Sequence, residues 1–244
     1  MSASPLRKRV AERRHTTLLV AIVTLFALRP LIGDSQLGPL AFSATILVVL
    51  LLALYAIQID ELVGEPGILP AARRRRNRVG WGLAMLAFVE RVAVVVVQNR
   101  ELSVAGAVGW LALLCFVTWN LWQSVLRQKQ VTGETISLAI SIYLLFGLTW
   151  GLLYAVIFEC QPQAFSFGGA PFLAGAASND PRQVFPVFIY FSLTTLSTIG
   201  YGDITPVTLQ ARYAAVAEGI TGQLYLAILV ARLVGISASR RETT

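Results

Sequence analysis

Thr195-Leu196-Ser197-Thr198-Ile199-Gly200-Tyr201-Gly202-Asp203 lies between two long apolar segments, and its reading decides that of the whole chain. The chemistry of this run belongs to the backbone. Carbonyl oxygens that all face one axis can replace the water around a small cation. An ordinary strand alternates its carbonyls from side to side, so aiming them one way requires right- and left-handed backbone in alternation. Gly200 and Gly202 reach positive φ without a Cβ penalty, which makes that alternation easy. Thr198 adds a hydroxyl at the inner end, and Ile199 and Tyr201 can point outward as packing struts.

Outward from this run, the chain is made of membrane-length apolar blocks. Of its 244 residues 56% are apolar and only 14% charged, which excludes a single soluble domain. A helical span needs ~20 mostly apolar residues. Six segments qualify: 16–31, 40–59, 79–98, 103–125, 135–158 and 211–237. A seventh, 185–197, is too short to cross and reads as a re-entrant helix that leads into the quoted run. The expected fold class is an all-α membrane protein with six transmembrane helices plus this re-entrant element.

The net charge of +7 sits mostly at the ends of the spans. Arg7, Lys8, Arg9, Arg13 and Arg14 precede the first, and Arg73, Arg74, Arg75, Arg76 and Arg78 separate the second from the third. Arg127 and Lys129 follow the fourth, and Arg232, Arg240 and Arg241 mark the end of the sixth. The alternate side holds only Arg100, Arg182 and Arg212. Every second connection is basic, so both termini are expected in the cytoplasm. The same clusters suit anionic lipid headgroups as partners. Ala27-Leu28-Arg29-Pro30 is no small-x-small cleavage site, so the first span is expected to stay in the mature protein. Cys115, Cys160 and His15 form no metal or disulfide pattern, and no nucleophile–base set or phosphate loop is present. An enzyme, a nucleic-acid partner and a soluble substrate are not expected.

The run Thr198-Ile199-Gly200-Tyr201-Gly202 resembles the filter of the tetrameric potassium channel superfamily, six-transmembrane one-pore type, with Ile199 where valine is usual. The resemblance covers roughly residues 185–234. It implies that K⁺ is held by the backbone carbonyls of Thr198, Ile199, Gly200, Tyr201 and Gly202 with the Thr198 hydroxyl. It implies Asp203 at the outer mouth and Gly222 at the place of a hinge glycine, where close helix packing is the other reading. Where many relatives carry two tryptophans this chain has Tyr190 and Phe191. Some carry an acidic residue at the place of Thr194, so the support of Asp203 is an open question. Bacterial inner membrane is the location the resemblance suggests.

One chain carries one filter, and a ring of carbonyls needs four copies, so a homotetramer is expected. The organisation reads as a basic N-terminus (1–15), a four-helix peripheral domain (16–126), a linker (127–134), a pore domain (135–238) and a tail (239–244). Residues 161–184 read as an irregular turret. Steps of four from Gly222 put Leu226, Val230 and Val234 on one face of the last helix, lining either the pore or a neighbouring helix. Glu218, an intramembrane carboxylate on the same helix, suits bonding behind the re-entrant helix.

Segment 103–125 has no charged residue, so it lacks the repeated arginines of a voltage sensor, and steep voltage dependence is not expected. Arg29 and Glu90 both come out roughly 16–20 Å deep at ~1.5 Å per residue and can pair between helices, with Arg91 as competitor. Few residues follow Ser237, so no cytosolic sensing domain is expected. The function implied is passive conduction of K⁺. A weakly selective cation channel and a non-conducting channel subunit are the alternatives.

Overall fold

The computed structural model describes residues 13–32, 38–63, 70–97, 100–128, 130–168 and 181–241. Seven α-helices fill most of these residues: α1 (Arg14–Ile32), α2 (Gly38–Val63), α3 (Pro70–Val97), α4 (Arg100–Arg127), α5 (Gly133–Cys160), α6 (Pro181–Leu196) and α7 (Leu209–Arg241). A 3₁₀ turn, Pro162–Ala164, leads into β1 (Phe165–Phe167), which pairs antiparallel with β2 (Ile204–Pro206). Each apolar segment read from the sequence is a helix. By length and composition, Val104–Arg127, Gly133–Cys160 and Leu209–Ile236 can cross a membrane, and Arg14–Leu28, Ala44–Ile59 and Val184–Leu196 are shorter apolar helices.

Three boundaries differ from expectation. The arginine run at 73–78 is helical rather than a loop. Pro70 suits a first helical position and arginine is a strong helix former, so the charge cluster forms the opening turns of α3. The re-entrant helix begins at Pro181, one turn early, for the same reason. The expected irregular turret contains β1, which pairs with β2 on the far side of the 198–202 run, with Phe165 opposite Pro206 and Phe167 opposite Ile204. Arg7, Lys8, Arg9, Lys129, residues 64–69 and residues 169–180 lie outside the described residues, as do the side chains of Arg29, Arg91 and Arg182.

The chain divides into two compact units. The first comprises Met1–Leu86, Cys115–Ile142 and Ile236–Thr244. Here α1 and α2 pack along each other through buried Leu18, Ile22, Leu25, Ile46, Val49 and Leu50. Thr132 caps α5, its hydroxyl accepting from the Thr135 amide at 3.3 Å while the Thr132 amide donates to the Thr135 hydroxyl at 3.2 Å. Glu134, in the first turn of α5, accepts from the His15 amide at 2.9 Å and from the Thr16 hydroxyl, which clasps the start of α1.

The second unit comprises Ala87–Leu114 and Tyr143–Gly235. Its core is aromatic. Tyr154, Phe158, Phe165, Phe188 and Phe191 pack together, with ring centroids 4.6 Å apart for Phe165–Phe188 and 5.0 Å for Tyr154–Phe191. Such pairs are worth about 0.5–1.5 kcal/mol each beyond buried area. The cluster joins α5, β1 and α6 and fixes the helix that leads into the run at 198–202.

Candidate functional site

The site starts where α6 stops. The Thr198 amide donates to the Thr195 carbonyl at 3.0 Å and the Ile199 amide to the Thr194 carbonyl at 2.8 Å. This pair of bonds is the Schellman ending of a helix, and it puts the residue after the cap in left-handed backbone. That residue is Thr198, with φ of +61°. Glycine usually fills the position, and a β-branched residue there is under strain. Positive φ returns at Gly200 (+54°) and Gly202 (+81°), with Ile199 and Tyr201 between them on the other hand. Backbone of alternating hand therefore runs from Thr198 to Gly202.

The helix end is held from behind. The Tyr143 hydroxyl donates to the Leu196 carbonyl at 3.1 Å. A Cβ on Gly222 would stand 2.8 Å from the same oxygen, so glycine lets α7 come close to the end of α6. Gly151 does the same for α5, where a Cβ would lie 2.9 Å from the Ile189 Cα. Gly219 is different. A Cβ there would meet nothing within 4 Å among the described residues. The C-terminus of α6 carries about half a negative charge beside the start of the run, which favours a cation nearby.

The outer end is held by Asp203. Its Oδ2 accepts from the Tyr190 hydroxyl at 2.7 Å and its Oδ1 from the Ile204 amide at 3.1 Å. The Asp203 carbonyl accepts from the Gly168 amide at 2.7 Å, which ties the mouth to the end of β1. The Tyr190 and Tyr201 rings lie stacked, 6.3 Å apart and 3° from parallel. Tyr190 thus supplies the bond that Thr194, whose hydroxyl donates to the Phe191 carbonyl, does not. The sequence marked Tyr190 only as standing where many related channels carry a tryptophan, and gave no sign of its hydroxyl bond to Asp203.

The remaining predicted residues are separate from this centre. Leu226, Val230 and Val234 are exposed along α7, with Val216, Ile220 and Leu224 also exposed on that helix. Glu90 accepts from the Trp110 indole at 3.0 Å, and its carboxyl fills the notch left by Gly106. Its expected partner Arg29 lies on α1, and that side chain is outside the described residues.

A model of the ion channel family matches residues 134–237. The chain is 30% identical over 116 residues to Protein LctB of Bacillus caldotenax, which covers 47% of this chain and 82% of that protein. It is 44% identical over 116 residues, with the same coverage, to Protein LctB of Geobacillus stearothermophilus. Helices able to cross a membrane, a re-entrant-length helix ending in left-handed backbone and these likenesses agree, and the chain belongs to the ion channel family, within the superfamily of the tetrameric potassium channels.

Proposed function

We propose that this channel is selective for K⁺ and conducts it passively through Thr198, Ile199, Gly200, Tyr201 and Gly202. The observation that carries the reading is the alternating hand of the backbone, with positive φ at Thr198, Gly200 and Gly202. Alternation of this kind turns successive carbonyls toward one side, which is what dehydration of K⁺ requires. Four copies complete the ring. The exposure of Ile199 (56%) and Tyr201 (70%) in the single chain supports assembly into a homotetramer, in which neighbouring copies pack against the run, whereas the apolar side chains exposed along α7 suit lipid or a neighbouring helix equally. Asp203 concentrates cations at the outer mouth. Leu226, Val230 and Val234 line the inner path, and Gly222 acts first as a packing residue and only through that as a bend.

Six spans with both termini cytoplasmic fit the basic connections, and three of the described helices have the length and apolarity to cross. The arginines at the start of α3 meet anionic headgroups of the inner leaflet of a bacterial membrane. Arg29 and Glu90 are proposed as a pair between helices, with Trp110 as a second support of Glu90.

The decisive experiment is the reversal potential of the purified protein in planar bilayers, K⁺ on one side and Na⁺ on the other. A selective filter sets the reversal near the K⁺ limit. A reversal near zero would instead mark a weakly selective cation channel, and silence from verified tetramers a non-conducting subunit.

A further inference from the structure

Glu218 is fully buried in α7, where two helices meet it. Its Oε2 lies 2.6 Å from the Tyr154 hydroxyl of α5. Its Oε1 contacts the Ser192 hydroxyl of α6. That hydroxyl in turn lies 2.8 Å from the Gly147 carbonyl of α5. These are three oxygen–oxygen contacts, and each needs a proton. Tyr154 supplies one and Ser192 one, while a carbonyl and an ionised carboxylate supply none. The count closes only if the third proton is on Glu218.

We infer that Glu218 stands in the folded channel as a neutral carboxylic acid that positions α6, and through it the filter. The chain of donors runs from Tyr154 Oη to Glu218 Oε2, from Glu218 Oε1 to Ser192 Oγ, and from Ser192 Oγ to the Gly147 carbonyl. It links α5, α6 and α7 at one point, six residues before Thr198 in sequence. An ionised Glu218 would break it. Ser192 would have to choose between the carboxylate and Gly147, and a buried negative charge would remain with hydroxyl partners only. An unpaired buried charge of that kind is strongly disfavoured. On the packed elements the described titratable and charged groups are Glu134, Tyr143, Tyr154, Glu159 and Cys160 of α5, Tyr190 of α6, and Arg212, Tyr213, Tyr225 and Arg232 of α7. Tyr154 bonds Glu218, Tyr190 is engaged with Asp203, and Arg212 donates to the Pro206 carbonyl.

Glutamine copies the neutral acid, since its amide N–H donates to Ser192 and its carbonyl accepts from Tyr154. The role in selectivity rests on the reading of 198–202 as a K⁺ filter, whereas the protonation state does not.

The test compares the full chain and its Glu218→Gln and Glu218→Ala variants in lipid vesicles from neutral to alkaline pH, by infrared spectroscopy, thermal melting and K⁺/Na⁺ flux ratio. Wild type is expected to show the carbonyl stretch of a buried carboxylic acid at neutral pH, absent from both variants. Glu218→Gln should match the wild-type melting and flux ratio at neutral pH and lose the alkaline response that accompanies loss of the band in wild type. Glu218→Ala should melt lower and discriminate less at every pH. Absence of the band in wild type, or a glutamine variant that behaves like the alanine one, overturns the inference. If none of the three proteins conducts, the band and the melting still decide the protonation state, and only the filter reading falls.

Discussion

Thr198 occupies a position where the chain would ordinarily place glycine. Its left-handed backbone is fixed by two hydrogen bonds that end α6, and the strain is about 1–3 kcal/mol. Gly200 and Gly202 adopt the same region without strain, so Gly200→Ala should add strain of that size where the backbone must keep its hand. The expected outcome is loss of K⁺/Na⁺ discrimination in flux assays with unchanged helix content by circular dichroism. At the outer end, the Tyr190–Asp203 bond is a hydrogen bond to a carboxylate, a class worth about 1.5–3 kcal/mol. Tyr190→Phe removes it while keeping the ring on Tyr201. We expect the assembly to melt at lower temperature, with the deficit largest when K⁺ is withdrawn. The two glycines were legible in the sequence because glycine advertises positive φ. The state of Thr198 was not, since a β-branched residue seldom takes that conformation and its hydrogen-bond partners become visible only once α6 is seen to end there.

Helices pack closely in this protein where glycine allows it. Gly222 meets the Leu196 carbonyl, Gly151 meets the backbone of α6, and Gly147 faces Leu193. Gly222→Ala forces a Cβ to 2.8 Å from that carbonyl and should cost about 1–3 kcal/mol through displacement of α6. Gly219→Ala meets nothing within 4 Å among the described residues and should gain up to about 1 kcal/mol from helix propensity alone. Thermal melting of the two variants, side by side, separates a packing glycine from a mere helix glycine. The sequence left Gly222 open between hinge and close packing, because the neighbour that decides is a carbonyl remote in sequence. The same limit applies at α3. Charge marked 73–78 as a connection between spans, and the helix propensity of those same arginines makes it the start of α3.

For the molecule as a whole, hydropathy located all seven helices because burial in an apolar medium leaves long uniform blocks. It could not supply the antiparallel join of Phe165–Phe167 to Ile204–Pro206, which depends on partners far apart in the chain. The charge-free stretch 103–125 of α4 argues that conductance is nearly flat with voltage. Single-channel recordings across a range of potentials should show little change in open probability, and a steep rise would require a source of gating charge other than α4. One further consequence concerns time rather than energy. Ser192 and Glu218 stand 26 residues apart, roughly 1–5 s of synthesis at ordinary ribosome rates. Tyr154 and Glu218 stand 64 apart. For those seconds α6 has been made and its rear support has not, so the 198–202 run, held from behind by α7, cannot set before most of α7 has emerged. Nascent chains of this channel should therefore be most open to capture by insertion factors in the interval between Leu196 and Glu218.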